Sequence, residues 1–319
     1  MPKMICKICA NSENNKQFQI REMYFGFRDE FTYFECSTCG CLQIVGIPTD
    51  MEKYYPPNYF SFEEIQPSNL ITRFLVRSRD RYTLFHKGYL GKLLCKRYPN
   101  DMLKAIAKAG INSESRILDV GCGSGGLLSI LRNAGIKNLV GIDPYLSHEV
   151  IEGGFQILKK TLYDLPNDQE FDLIMFNHSL EHISGQLETI TKASSLLAEN
   201  GVCLVRIPLK TEYLWNLYGV NCVQIDAPRH FFLHTMKSFD LLVNRAGLVV
   251  KDIIFDSDEF QFWGSEQYKR DIPLEADNSY RIDRTKSIFT QKEIDEFRQM
   301  SRALNKISQG GQAAFYLRK

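Results

Sequence analysis

Three groups of residues in this 319-residue chain have types and spacings suited to chemistry. The first is Arg116 to Ser129, R-I-L-D-V-G-C-G-S-G-G-L-L-S, where the apolar run Ile117 to Val120 meets Gly121, Gly123, Gly125 and Gly126 before Leu127 opens a helical pattern. A strand that ends in glycines and feeds a helix brings bare backbone N–H groups up to a ligand. Gly121-x-Gly123-x-x-Gly126 also fits a dinucleotide fingerprint, with Asp143 at about the expected ribose-binding distance. Asp119 separates the readings. A carboxylate two residues before the first glycine would repel a pyrophosphate and suits a cationic ligand instead.

The second group is Cys6-x-x-Cys9, 26 intervening residues, and Cys36-x-x-Cys39-Gly40, the spacing of a four-cysteine zinc ribbon. Four thiolates leave no open position for a substrate, so the expected zinc is structural, and a segment this short needs a metal to fold. Cys41 is read as a bystander. The third group is histidine, whose side chain can take a proton near neutral pH. His178 and His182 leave a strand pattern in Asn177-His178-Ser179-Leu180-Glu181-His182, and His230 and His234 lie in Pro228-Arg229-His230-Phe231-Phe232-Leu233-His234. His86 and His148 read as surface or packing residues.

The rest of the chain must position these groups. A net charge of +1 argues against a dedicated nucleic-acid binder, and nine cysteines with no signal-peptide core or membrane-length apolar run lead us to expect a soluble, cytoplasmic protein with reduced thiols. Oligomeric state stays open. Three segments are expected: a ribbon over residues 1–45, an aromatic linker and basic helical segment over 46–98, and an α/β domain over 99–319. Tyr54 to Phe60 reads as a linker or lid. Leu70 to Arg97 has Ile71, Phe74, Leu75, Tyr82, Phe85, Tyr89 and Leu93 at helical spacing, a break near Gly88 and Gly91, and a basic opposite face.

From Arg116 strand and helix patterns alternate, as a doubly wound parallel sheet requires. The strands are expected at 116–120, 139–142, 155–158, 171–176, 201–207, 248–255 and 312–317, with a helix running from the Glu181-His182 region to about Glu199. Between Ile207 and Thr235 lie 27 residues rich in aromatics, and Asp256 to Thr290 is a second long excursion. Both are expected to wall a substrate.

L-D-V-G-C-G-S-G resembles the first motif of class I S-adenosylmethionine-dependent methyltransferases. The resemblance implies a Rossmann-like, seven-stranded fold with the last strand antiparallel. It assigns the cofactor to Asp119, Gly121, Cys122, Gly123, Ser124 and Gly125, to Asp143 and Pro144 at the ribose, to Thr161 and Leu162 at the adenine, and to Asn177 and His178. Ribbon included, the chain is similar to bacterial deoxysugar C-methyltransferases, in which a histidine of an E-H-x-x-Y-F segment is the general base. That places His230 in the role, with His182 and His178 as rivals, although Arg229 stands where the glutamate would be and Leu233 departs from the aromatic pattern. The implied acceptor is a nucleotide sugar, a glycan or a related small molecule. An O- or N-methyltransferase of another metabolite or peptide is the alternative, and a non-catalytic ribbon scaffold a further one. His178-x-x-Glu181-His182 also resembles the E-x-x-E-H cation site of ubiquinone-pathway O-methyltransferases, leaving a second divalent metal at these residues open.

Overall fold

The computed structural model describes residues 4–56 and 69–319. Pro57 to Phe60 of the expected linker lie outside the described residues. At the N-terminus β1 (Lys16–Arg21) and β2 (Glu30–Glu35) form an antiparallel hairpin, and β3 (Leu42–Ile44) pairs antiparallel with β2. Tyr33 and Phe34 of β2 are buried and join the cysteines in one apolar cluster. Cys6 Sγ lies 3.6 Å from Cys39 Sγ and Cys9 Sγ 3.5 Å from Cys36 Sγ, and the four sulfurs lie within 4.8 Å of one another. The Gln43 amide donates to Cys6 Sγ at 3.0 Å and the Cys9 N–H donates to the same sulfur at 3.4 Å. Donors aimed at sulfur suit thiolates gathered about a cation, so these residues fit the zinc they were expected to hold. Cys41 is buried outside the quartet.

The helical pattern after the linker resolves into α1 (Leu70–Phe85) and α2 (Tyr89–Arg97). Asn69 caps α1 by accepting from the Thr72 N–H, and the break falls at His86 to Gly88, with Gly88 at φ 98°. Gly91 has a different task. A Cβ there would stand 2.2 Å from the Ser78 carbonyl oxygen, so it lets α2 pack on α1. The expected apolar stripe is not a core stripe: Ile71, Phe74, Tyr89 and Leu93 are exposed, and α1 instead buries Asp80, Thr83 and Leu84 near its C-terminal half. Asp80 is tolerated inside because Arg79 pairs with it at 2.7 Å.

After α3 (Asp101–Lys108), capped by Asn100, come β4 (Arg116–Val120), α4 (Gly126–Ala134), β5 (Asn138–Ile142), β6 (Val150–Glu152), β7 (Phe155–Leu158) and β8 (Phe171–Asn177). Next are α5 (Gln186–Leu196), β9 (Leu197–Pro208), α6 (Glu212–Tyr218), β10 (Phe232–Leu233), α7 (Met236–Arg245) and β11 (Val249–Phe255). α8 (Phe260–Lys269), α9 (Gln291–Lys306) and β12 (Gln312–Arg318) close the chain. The sheet order is β11-β12-β9-β8-β4-β5-β7-β6. β4, β5, β7, β8 and β9 run parallel, and β12 is antiparallel to both neighbours. All seven expected strands form. An eighth, β6, adds an antiparallel edge of three residues too short to carry a legible period. The helix after β8 also begins later than expected, because a single 3-10 turn, Leu180–His182, precedes α5.

The order in which strands are added to the sheet reverses at β4, so the carboxyl ends of β4, β5 and β8 open a crevice where doubly wound sheets take their ligands. β10 does not belong to this sheet. It pairs antiparallel with β3, Phe232 opposite Gln43, and completes the ribbon's own four-stranded sheet. One apolar cluster runs from Cys6, Tyr33 and Cys36 through Phe232 to Leu180, Phe239 and Phe315, so the ribbon and the α/β layer share a core. Because of that sharing, removing zinc with a strong chelator should lower the melting temperature of the whole protein by several degrees rather than release the ribbon alone. Thermal scans with and without chelator check this, and an unchanged main transition would contradict it.

Candidate active site

The loop after β4 is held in an unusual conformation by its glycines. Gly121, Gly123 and Gly125 have φ of 76°, 52° and 79°, a region that residues with a Cβ avoid. At Gly121 the demand is also steric, since a Cβ would meet Ser179 Cβ at 2.5 Å. Ser179 in turn donates from Oγ to the Val120 carbonyl at 2.6 Å, locking the glycine turn against the segment that follows β8. Asp143, at the end of β5, accepts from the Gly123 N–H at 3.1 Å and from the Tyr145 N–H at 2.9 Å. Asp119 is 3% exposed, and burial together with the nearby Asp143 carboxylate pushes it up to about 7. Burial and the same two acids raise the Cys122 thiol far above its ordinary value. The crevice therefore concentrates acceptor groups that a bound cation would stabilise.

The two residues expected at the adenine edge are differently used. The Leu162 side chain is 3% exposed within the core, and Thr161 spends its hydroxyl on Asp164 in a capping box. Any contact with a base must come from the main chain of this turn.

Beyond β8 the chain presents its histidines. His178 takes φ 53° and accepts from Arg206 Nη1 at 2.8 Å through Nε2, which assigns its proton to Nδ1. That nitrogen lies 3.3 Å from Glu181 Oε1, while Arg206 is itself paired with Asp256 at 2.6 Å. Neither His178 nitrogen is free, which sets it apart from the other two expected bases. His182 Nδ1 lies 2.8 Å from the Arg229 carbonyl and 3.1 Å from the Tyr55 hydroxyl, and His230 Nδ1 lies 2.8 Å from the Gln224 carbonyl. A carbonyl can only accept, so each ring carries a proton on Nδ1, and the neutral form of either ring has its lone pair on Nε2. The rings stand edge to face, 4.8 Å between centroids. Burial, reinforced by His230, holds His182 down to about 4, so it is neutral at physiological pH. Glu181 is 1% exposed. Burial opposes its ionisation, but His178, His182 and His230 bring it down to about 2. His234 belongs elsewhere, buried and bonded to Gln186 at 2.7 Å and Ser238 at 2.9 Å.

What fixes His230 was not legible from its neighbours in sequence. Arg229 is wholly buried and pairs with Asp226 at 2.6 Å and with Glu22 at 3.1 Å, and its guanidinium lies over the Tyr24 ring at 4.8 Å. Glu22, also wholly buried, accepts the N–H groups of Tyr24, Phe25, Gly26 and Phe27 at 2.9–3.0 Å. Tyr33 of the ribbon donates to the His230 carbonyl at 2.9 Å. The ribbon therefore reaches the histidines through Glu22 and Tyr33, and the aromatic linker, read as a linker or lid, reaches them through Tyr55. Sequence reasoning missed Glu22, Tyr33 and Asp226; the signal present was the crowding of Tyr and Phe between and after the cysteine pairs. The two long excursions supply less of a wall than expected. Val223, Ile225, Phe262 and Tyr268 are buried, and the stretch from Gln224 to His230 is what faces the histidine cluster.

Residues 94–252 match the methyltransferase domain family. The fold resembles the Haloferax volcanii complex that contains the Trm112 methyltransferase activator (15% identity, 75% of this chain and 96% of that one, TM-score 0.47). It also resembles the cyclopropane synthase MmaA2 of Mycobacterium tuberculosis (14%, 81% and 100%, 0.43) and an S-adenosylmethionine-dependent methyltransferase of Archaeoglobus fulgidus (20%, 73% and 100%, 0.41). A search of curated proteins returns no match. The α/β layer is a class I methyltransferase domain, and the protein is an S-adenosylmethionine-dependent methyltransferase. Among the described residues no helix is long and apolar enough to cross a membrane.

Breaking a buried ion pair from one side strands the opposite charge, at a cost of about 3–5 kcal/mol. Arg229→Met should therefore destabilise the protein by that order, read as a lower midpoint in urea unfolding. A change within about 0.5 kcal/mol, the usual range for an inconsequential surface position, would show that the guanidinium is not the anchor described.

Proposed function

We propose that the enzyme moves the methyl group of S-adenosylmethionine to a hydroxylated, sugar-like acceptor, a nucleotide sugar or glycan-bound sugar, at the carboxyl ends of β4, β5 and β8. The cofactor's methionine end lies against Asp119, Gly121, Cys122, Gly123, Ser124 and Gly125, its ribose on Asp143 beside Pro144, and its base against the main chain of Thr161 and Leu162. Asn177 and His178, at the end of β8, border the transferring methyl. The single observation that carries the reading is the pairing of His182 and His230, two imidazoles whose Nδ1 protons are both tied to carbonyls. Such rings offer Nε2 to an acceptor proton. His230 is the base in this reading and His182 its support. The Tyr55 and Tyr145 rings stack nearby, 6.5 Å between centroids, and supply the flat apolar surface that a sugar face uses. The four cysteines hold structural zinc and take no part in the chemistry.

Transfer is an in-line displacement: the acceptor atom bonds to the methyl carbon, the carbon–sulfur bond breaks, and sulfur leaves with the electron pair as a neutral thioether. Alignment of the three centres supplies much of the rate.

Calorimetric titration with S-adenosylhomocysteine, against NAD as competitor, tests the pocket, and incubation with labelled cofactor and nucleotide sugars tests the acceptor. Asp143→Asn should weaken the homocysteine compound by about tenfold or more, the loss expected for charge-assisted hydrogen bonds, with an unchanged melting temperature. Equal affinity would remove Asp143 from the ribose. Protonation supplies an independent check. Asp119 is raised to about 7, so it is neutral below that pH and anionic above it. Affinity for the cationic cofactor should rise as pH climbs through about 7 and fall by up to about tenfold per unit below it. In Asp119→Asn that slope should flatten, and a slope that persists would assign it to another group.

A further inference from the structure

Glu181 is the most anomalous side chain in the molecule. It is 1% exposed, and neither carboxylate oxygen has a hydrogen-bond partner among the described residues. His178 Nδ1 lies 3.3 Å from Oε1, close enough to act on its charge but not aligned for a hydrogen bond. A buried carboxylate whose one close contact is a poorly aligned imidazole costs several kcal/mol unless something cationic completes it. The groups around it have the chemistry to do so. One oxygen of Glu181 and one nitrogen each of His182 and His230 lie within 4.8 Å of one another. Both imidazoles donate Nδ1–H to a backbone carbonyl, the Arg229 carbonyl for His182 and the Gln224 carbonyl for His230. That is the outer-sphere arrangement by which proteins orient histidines toward a metal. Asp226 Oδ2 lies 3.9 Å from His230 Nε2 and adds negative potential on the same side.

We propose that Glu181, His182 and His230 bind a divalent first-row cation, distinct from the zinc of the four cysteines, with positions left open for oxygens of the acceptor. Two imidazoles and one carboxylate on one side of an ion form a ligand set that such cations accept without saturating their coordination. The set differs from the one that sequence spacing offers. His178 is excluded because Arg206 occupies its Nε2, and the third ligand comes from the long excursion before β10. The proposal rests on the reading that the acceptor docks at this cluster, and it changes how the proton leaves. A hydroxyl bound to the cation loses its proton to solvent because the metal lowers its pKa, the oxygen then bonds to the methyl carbon, and sulfur departs neutral. With the cation bound, His230 is a ligand and not a base. Two adjacent hydroxyls, as on a sugar ring, would fill two open positions at once.

The test is direct binding of Co²⁺ to the full chain with zinc already in the ribbon, followed by calorimetry and by visible spectroscopy. The expected result is one further cobalt ion per chain with a spectrum of nitrogen and oxygen ligands and no thiolate charge-transfer band. Its affinity should fall more than about tenfold in Glu181→Gln and, separately, in His230→Ala, while S-adenosylhomocysteine binding is unchanged in both. The second variant guards against a fold effect at the buried glutamate. No cobalt beyond the cysteine site, or binding indifferent to both substitutions, overturns the metal site and leaves the methyl-transfer reading standing. Loss of S-adenosylhomocysteine binding by the wild type would instead strike that reading and leave the cobalt result intact.

Discussion

A guanidinium sealed inside the protein is the constraint on which the rest of the structure depends. Arginine is almost never wholly buried unless its charge is met, and Arg229 is met by two carboxylates from different parts of the chain, Glu22 from the ribbon and Asp226 from the excursion before β10. Glu22 could not sit there without the four N–H groups of the turn that follows β1, so the turn, the ion pair and the excursion specify one another. His230 follows Arg229 directly, and its carbonyl is held by Tyr33. The position of His230 is thus set from the four-cysteine end of the molecule, some two hundred residues away in sequence.

This coupling gives the ribbon a second role. A zinc module that only closed its own core would leave the histidines to the α/β domain. Here the sheet beside the four cysteines takes β10 as its fourth strand, and β10 begins two residues after His230. The Phe231 N–H donates to the Glu181 carbonyl at 2.8 Å, so the same short segment joins the ribbon to the turn after β8. Losing the metal would loosen both partners of the histidine pair together, although neither touches it.

Much of this was legible in sequence and some could not be. The glycine loop, its two acids and the cysteine quartet announce themselves because each is a local pattern with one physical cause: a left-handed turn, a charge at a strand end, a knuckle spacing. That the central strands run parallel follows from the alternation of strand and helix. By contrast, β10 is two residues long and carries no period, and its partner β3 is far away in sequence. Arg229 read as a departure from an expected glutamate, since nothing adjacent reveals that a charge is buried. Ile71 and Phe74 misled in the opposite sense: helical spacing of apolar residues shows that one face is apolar, and does not show that anything covers it. Leu162 was placed by loop position, which fixes where the main chain runs and not which way a side chain turns.

The distribution of charge at the crevice suits a reaction that consumes a cation. The nearby Asp143 carboxylate raises the cost of ionising Asp119, and Glu181 and Asp226 add two carboxylates at the neighbouring end of β8 and its excursion. In the pose proposed above, the cofactor's sulfonium would lower the energy of this arrangement before transfer, because a positive charge among acids in a poorly solvated site relieves their mutual repulsion. With the sulfur neutral that repulsion would return. The same carboxylates would then both gather the cofactor and favour departure of its spent form, an imbalance that would be only a burden to a protein with no cation to bind.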